Sequence, residues 1–106
     1  MPELRIELNS YRIGDLLEQK GLHYLKVCIR GKNIVIYSEN NSIKENRVRF
    51  TYTKAGIYIL GMADHNGKWE QTPFEGTAEE LLDMVLNQFQ WVLCNYDMDD
   101  STGSNV

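Results

Sequence analysis

Cysteine, histidine, proline and long apolar runs are all scarce in this chain of 106 residues. Two cysteines, Cys28 and Cys94, are too few for a disulfide framework. With only His23 and His65 beside them, no CxxC pair or Cys/His cluster with metal-ligand spacing can be drawn. Both thiols are expected to be reduced and largely buried. The apolar stretch from Ile57 to Met62, interrupted by Gly61, falls far short of the roughly 20 residues that cross a bilayer. The opening Met-Pro-Glu-Leu-Arg lacks the basic stretch and apolar core of an export signal, so a cytoplasmic chain with no membrane partner is expected. Phosphate-binding glycine loops and nucleophile elbows are missing too, and no catalytic, metal or cofactor residue is assigned.

What the chain does contain is ordinary globular material, 42% hydrophobic and 25% charged. One domain is expected over residues 1–94, followed by an acidic tail over 95–106 that carries Asp97, Asp99 and Asp100. The net charge of −4 is unevenly spread: residues 1–25 carry −1, residues 26–63 carry +5 and residues 64–106 carry −8. An acidic protein with a basic middle third is electrically bipolar.

Local patterns divide the chain into elements. Leu4 to Leu8 alternates apolar and charged residues, which predicts a first strand. Asn9 or Ser10 then suits the cap of a helix over about Tyr11 to Lys20, stopped by Gly21 with Leu22 folding back on Leu17. Two runs rich in β-branched and aromatic residues, His23 to Arg30 and Asn33 to Ser38, flank Gly31-Lys32, a type II′ hairpin signal. That turn pairs Arg30 with Asn33, Ile29 with Ile34, Cys28 with Val35, Val27 with Ile36 and Lys26 with Tyr37. Glu39 to Asn46 reads as a polar loop. Arg47 to Thr53 alternates clearly and turns at Lys54-Ala55-Gly56 into Ile57 to Ala63, which sets Phe50 near Ile59. Asn66-Gly67 signals another hairpin into Lys68 to Phe74, which Pro73 requires either to be an edge strand or to end there. Thr77-Ala78-Glu79-Glu80 is a capping box that opens a helix to about Phe89, with Leu81, Leu82, Val85 and Phe89 as its apolar stripe.

The expected fold is therefore α+β, a curved antiparallel sheet of five to six strands with two helices on one face, in the order β-α-β-β-β-β-β-α. By element order this resembles TATA-binding-protein-like and helix-grip folds, in which a last helix lies across a bent sheet.

With both helices on one face, the other face of the sheet is left open. The registers put Tyr24, Lys26 and Arg30 there from one strand, Tyr37 from the next, Arg47 and Arg49 from the third, and Tyr58, Leu60 and Met62 from the fourth. Cys28, Val35 and Thr51 would lie among them, with Trp69 a further candidate. Arginine with tyrosine is the mixture enriched at interface centres, which points to a non-catalytic domain that binds a protein partner or a second copy of itself. The plain structural reading of the same residues is a wet sheet face on which Arg stems cover Tyr rings.

The alternative is a small-ligand binder or enzyme whose cavity, lined by Tyr52, Trp69, Met84 and Trp91, lies between the sheet and the last helix. A weaker alternative is single-stranded nucleic acid stacked on the tyrosines, against which the net charge of −4 counts. Asp64 beside His65 is explained by a turn, and Glu79, Glu80 and Asp83 by the dipole of the helix they begin.

Overall fold

A computed structural model describes residues 2–64 and 66–93, apart from the side chains of residues 2–4, Asn40 and Trp91. His65, Cys94 and the acidic tail over 95–106 lie outside the described residues. The chain forms α1 (Pro2–Gln19), β1 (Leu25–Arg30), β2 (Asn33–Asn40), β3 (Ile43–Lys54), β4 (Ile57–Ala63), β5 (Trp69–Gly76), α2 (Ala78–Gln88) and a closing 3-10 turn, η1 (Gln90–Leu93). The five strands make one open antiparallel sheet in the order β1-β2-β3-β4-β5. The fold is α+β, as expected.

The first strand is corrected. Residues 4–8 belong to α1, which runs unbroken across the position assigned to a cap. Ile6, Ser10, Ile13 and Leu17 are its buried residues, a 3.6-residue repeat that outweighs five residues of alternation. Ser10 is no cap, since its hydroxyl donates to the Glu7 carbonyl one turn back at 2.8 Å. Without that strand the order is helix, five strands, helix, which keeps the expected order from the first helix onward, and the likeness to TATA-binding-protein-like and helix-grip folds loses its opening strand.

The end of α1 follows its local chemistry. Gly21 has φ +78°, Leu22 N–H donates to Leu17 O at 2.9 Å and Gly21 N–H to Glu18 O at 3.0 Å, the two bonds of a Schellman stop. The β1–β2 register is the expected one at every pair, with Gly31 at φ +61°. The loop expected over residues 39–46 is instead a tight hairpin. Asn41 and Ser42 take φ of +55° and +70°, so Glu39 pairs with Lys44 and Ser38 with Glu45 in a ladder of polar residues. β5 runs through Pro73 as an edge strand, the first of the two arrangements that the proline allows.

The core lies between the sheet and both helices. Ile34, Ile36, Val48, Phe50, Tyr58 and Leu60 on the sheet meet Ile13 and Leu17 of α1 and Leu81, Leu82 and Val85 of α2 in one buried cluster. The capping box of α2 is formed: Thr77 Oγ1 accepts from Glu80 N–H at 3.2 Å, and Glu80 Oε1 accepts from Thr77 N–H at 3.0 Å. No described helix is long and apolar enough to cross a membrane.

Candidate functional site

Both helices pack on the same side of the sheet, and no described element covers the other. Parity along the registers brings Lys26, Cys28 and Arg30 of β1, Val35 and Tyr37 of β2, and Arg49 and Thr51 of β3 to that open side. Arg49 is its centre. Its guanidinium lies over the Trp69 ring of β5, 4.9 Å from the centroid, after crossing Gly61 of β4. A β-carbon at Gly61 would come within 3.1 Å of Arg49 Cγ, so glycine there makes room for the arginine stem. Val35, 3% exposed, and Gly61 are buried under these long side chains even though no helix covers them. Lys44 Nζ stands over the Tyr37 ring at 4.7 Å, and Lys26 Nζ lies 3.9 Å from Glu39 Oε1.

Five residues expected on this face are elsewhere. Tyr58 and Leu60 are fully buried beneath the helices, and Met62 shares their side of β4. Phe50 pairs with Leu60 rather than Ile59, a one-residue difference that inverts every side chain of the strand. The ladder is regular from Val48 to Tyr52 and slips at Thr53, because Ala55 and Gly56, at φ +50° and +81°, form a two-residue turn. Tyr24 lies against the core, with its hydroxyl donating to the Leu93 carbonyl on the helix side.

Arg47 is turned away by a β-bulge. Ile36 pairs with Val48 but Tyr37 with Asn46, so Arg47 is the extra residue and its parity is lost. It is 4% exposed. Its guanidinium donates to Ser38 Oγ at 3.2 and 2.9 Å and to the Val92 carbonyl at 3.2 Å, and lies 3.5 Å from Glu45 Oε1.

Of the residues expected to line the cavity, Tyr52, Trp69 and Met84 are not brought together. Tyr52 packs edge-on against Tyr58, with ring centroids 5.3 Å apart, and Met84 is half-buried on α2, while Trp69 is engaged by Arg49 on the opposite face. The Trp91 side chain lies outside the described residues. A different cleft, about 720 Å³, opens where the β3 bulge, the β4–β5 hairpin and η1 meet, and is walled by Arg47, Met62, Asp64, Glu70 and Val92. Asp64 also builds that hairpin, accepting at Oδ1 from Asn66 N–H at 2.8 Å and Lys68 N–H at 2.9 Å.

Beneath the sheet, burial pushes the Tyr58 hydroxyl above its ordinary pKa of 10.0. The hydrogen bond from Asn9 Nδ2, at 2.9 Å, pulls it partly back. Tyr52 raises it further and Arg5 lowers it, both by smaller amounts.

One feature was not anticipated from sequence: β1 is a bare edge of the sheet, which assigning residues 4–8 to a strand hid. Trp69, weighed for both the open face and the cavity, belongs to the open face as the platform for Arg49. No group of three or more His, Cys, Asp and Glu among the described residues could hold a metal ion.

No family model, curated protein or solved structure matches this chain. What its surface can do therefore depends on geometry and charge.

Proposed function

We propose that this chain is a non-catalytic protein-interaction domain, self-association included, that works through the open basic and aromatic face of its sheet. The observation that carries the reading is the group of Lys26, Arg30, Tyr37, Arg49 and Trp69 on the one face that no described helix covers. Arginine and large aromatic side chains bury much area at low entropic cost and dominate the energetics of interfaces. The complementary partner is acidic, and residues 64–106 of a second copy, which carry −8, supply acidic groups of that kind. A cytoplasmic setting is part of the proposal, in keeping with the free thiol of Cys28.

The test uses Lys26→Glu/Arg49→Glu, which reverses charge on the face and leaves the buried Arg47 alone. Light scattering after size exclusion at low and high salt, and affinity capture with the full chain as bait, are compared with wild type. The expected result is an assembly or captured partner that the variant loses and salt weakens. A variant that assembles and captures as wild type does removes the reading.

The cleft beside Arg47 favours a second reading, a small-ligand binder, because its size suits a drug-sized molecule. A thermal-shift screen in which no compound stabilises wild type more than Met62→Trp, which fills the cleft, removes it. Nucleic-acid binding is less favoured. Arg47 is withdrawn from the face, and the net charge of −4 counts against a phosphate backbone.

A further inference from the structure

The two edges of the sheet differ. β5 is blunted by Pro73 and by an irregular ladder, in which Ile59 pairs with Glu75 but Gly61 with Gln71. β1 pairs regularly with β2 over all six of its residues and has no proline or bulge. Its ladder alternates. Tyr52 N–H donates to Lys32 O at 2.8 Å, so even-numbered residues of β2 bond toward β3 and odd-numbered ones toward β1. Lys26, Cys28 and Arg30 therefore exchange bonds with β2, while the N–H and C=O groups of Val27 and Ile29 point out of the sheet. No described residue bonds them.

Apolar surface gathers at this edge. Of the large apolar side chains exposed among the described residues, Ile29 lies on β1 and Tyr11 on the α1 face beside it. Tyr11, Gly14 and Glu18 of α1 form one wall of a groove of about 400 Å³, with Leu22 and Val27 on the other.

We infer that β1 is a self-pairing edge, at which two copies of the chain join antiparallel through Val27 and Ile29 into a continuous ten-stranded sheet. This rests on the interaction reading and extends it, because a two-fold axis normal to the sheet keeps both open faces on one side. The register is set by charge. Centred on Val27, Val27 bonds its own counterpart and the Leu25 carbonyl accepts from Ile29 N–H of the second copy, the Leu25 N–H being held by Leu22 O at 3.2 Å. Lys26 then faces Cys28, and Arg30 passes the end of the opposing strand. Centred one residue later on Cys28, the pairing would set Lys26 against Arg30 of the second copy, a direct like-charge contact. The two α1 helices lie on the same side of the joined sheet and flank the axis, so Tyr11 gains apolar neighbours there.

The experiment compares wild type with Ile29→Lys and Val27→Pro by light scattering and sedimentation equilibrium from micromolar to hundreds of micromolar. Hydrogen exchange is read on the same samples. Ile29→Lys puts a charge on the edge, and Val27→Pro removes an N–H that β2 does not use, so circular dichroism should show both folded. The expected result is a concentration-dependent dimer in wild type and a monomer in both variants. Val27 and Ile29 amides should slow at least tenfold as concentration rises, while the Cys28 amide is slow throughout. A wild-type monomer at hundreds of micromolar overturns the pairing, as does a dimer in which those two amides exchange like a free edge. A dimer lost in Ile29→Lys but kept in Lys26→Glu/Arg49→Glu supports the edge and tells against the open face as the association surface. The opposite pattern overturns the edge and leaves the open face standing.

Discussion

Replacing Arg47 with methionine tests whether this arginine holds the fold or serves a surface. Methionine keeps much of the stem's volume and removes the guanidinium. The bond to Glu45 is a minor part of the loss, because that carboxylate is 56% exposed and such pairs contribute at most about 1 kcal/mol. Ser38 and the Val92 carbonyl are different, since both are buried and would lose a charged donor. Leaving each unsatisfied costs about 1–3 kcal/mol, and the desolvation no longer required of the arginine offsets part of the sum. The net expectation is a loss of about 2–4 kcal/mol, against a total stability of about 5–15 kcal/mol for a domain of this kind. In urea, where the slope is about 1–3 kcal/mol per molar, the midpoint should fall by at least about 0.7 M. The control is Arg49→Met, which forfeits the contact with Trp69 at about 0.5–1 kcal/mol. Urea titration followed by far-ultraviolet circular dichroism reads both. An Arg47→Met midpoint indistinguishable from wild type, or a larger loss in Arg49→Met, would refute the assignment of Arg47 to the interior. A carboxylate placed at position 47 would report unfolding rather than binding, which is why the interaction tests leave that position unchanged.

Two further outcomes follow from the interior and the turns. Tyr58 keeps its proton in the folded chain above pH 10.0, where the unfolded chain loses its own, so the folded state binds more protons and stability falls as pH rises through that range. Tyr58→Phe should cost about 0.5–1.5 kcal/mol at neutral pH through the lost Asn9 bond. The gap to wild type should narrow above pH 10.0, and a gap that widens in urea titrations at rising pH contradicts the buried phenol. Ala55 holds φ +50° at the first position of its two-residue turn, a conformation that costs an ordinary side chain and that asparagine tolerates. Ala55→Asn should therefore raise stability by about 0.5–1 kcal/mol in the same titration, and no gain would mean that the turn is not strained.

Much of the fold was legible where one short stretch of chain decides its own conformation. The Gly31-Lys32 turn gave the full β1–β2 register, Thr77 and Glu80 marked the start of α2, and Gly21 marked the stop of α1. Residues 4–8 misled because five alternating residues satisfy a strand, while the helical repeat becomes visible only when Ser10 is counted among the buried positions. The interaction face was legible in part. Lys26, Arg30, Tyr37 and Arg49 are where alternation puts them, whereas Tyr24, Arg47, Tyr58, Leu60 and Met62 are not.

By itself, then, the sequence determined the local grammar of this protein: its turns, caps, edge proline, two-sided charge and the number of strands after residue 23. Only the tertiary structure decided which way the later side chains point. The reason is that strand parity has period two, so one bulged residue reverses a face, and whether a bulge forms depends on distant partners. Arg47 leaves the ladder to meet a carbonyl 45 residues further along the chain, a contact that no local pattern around it announces.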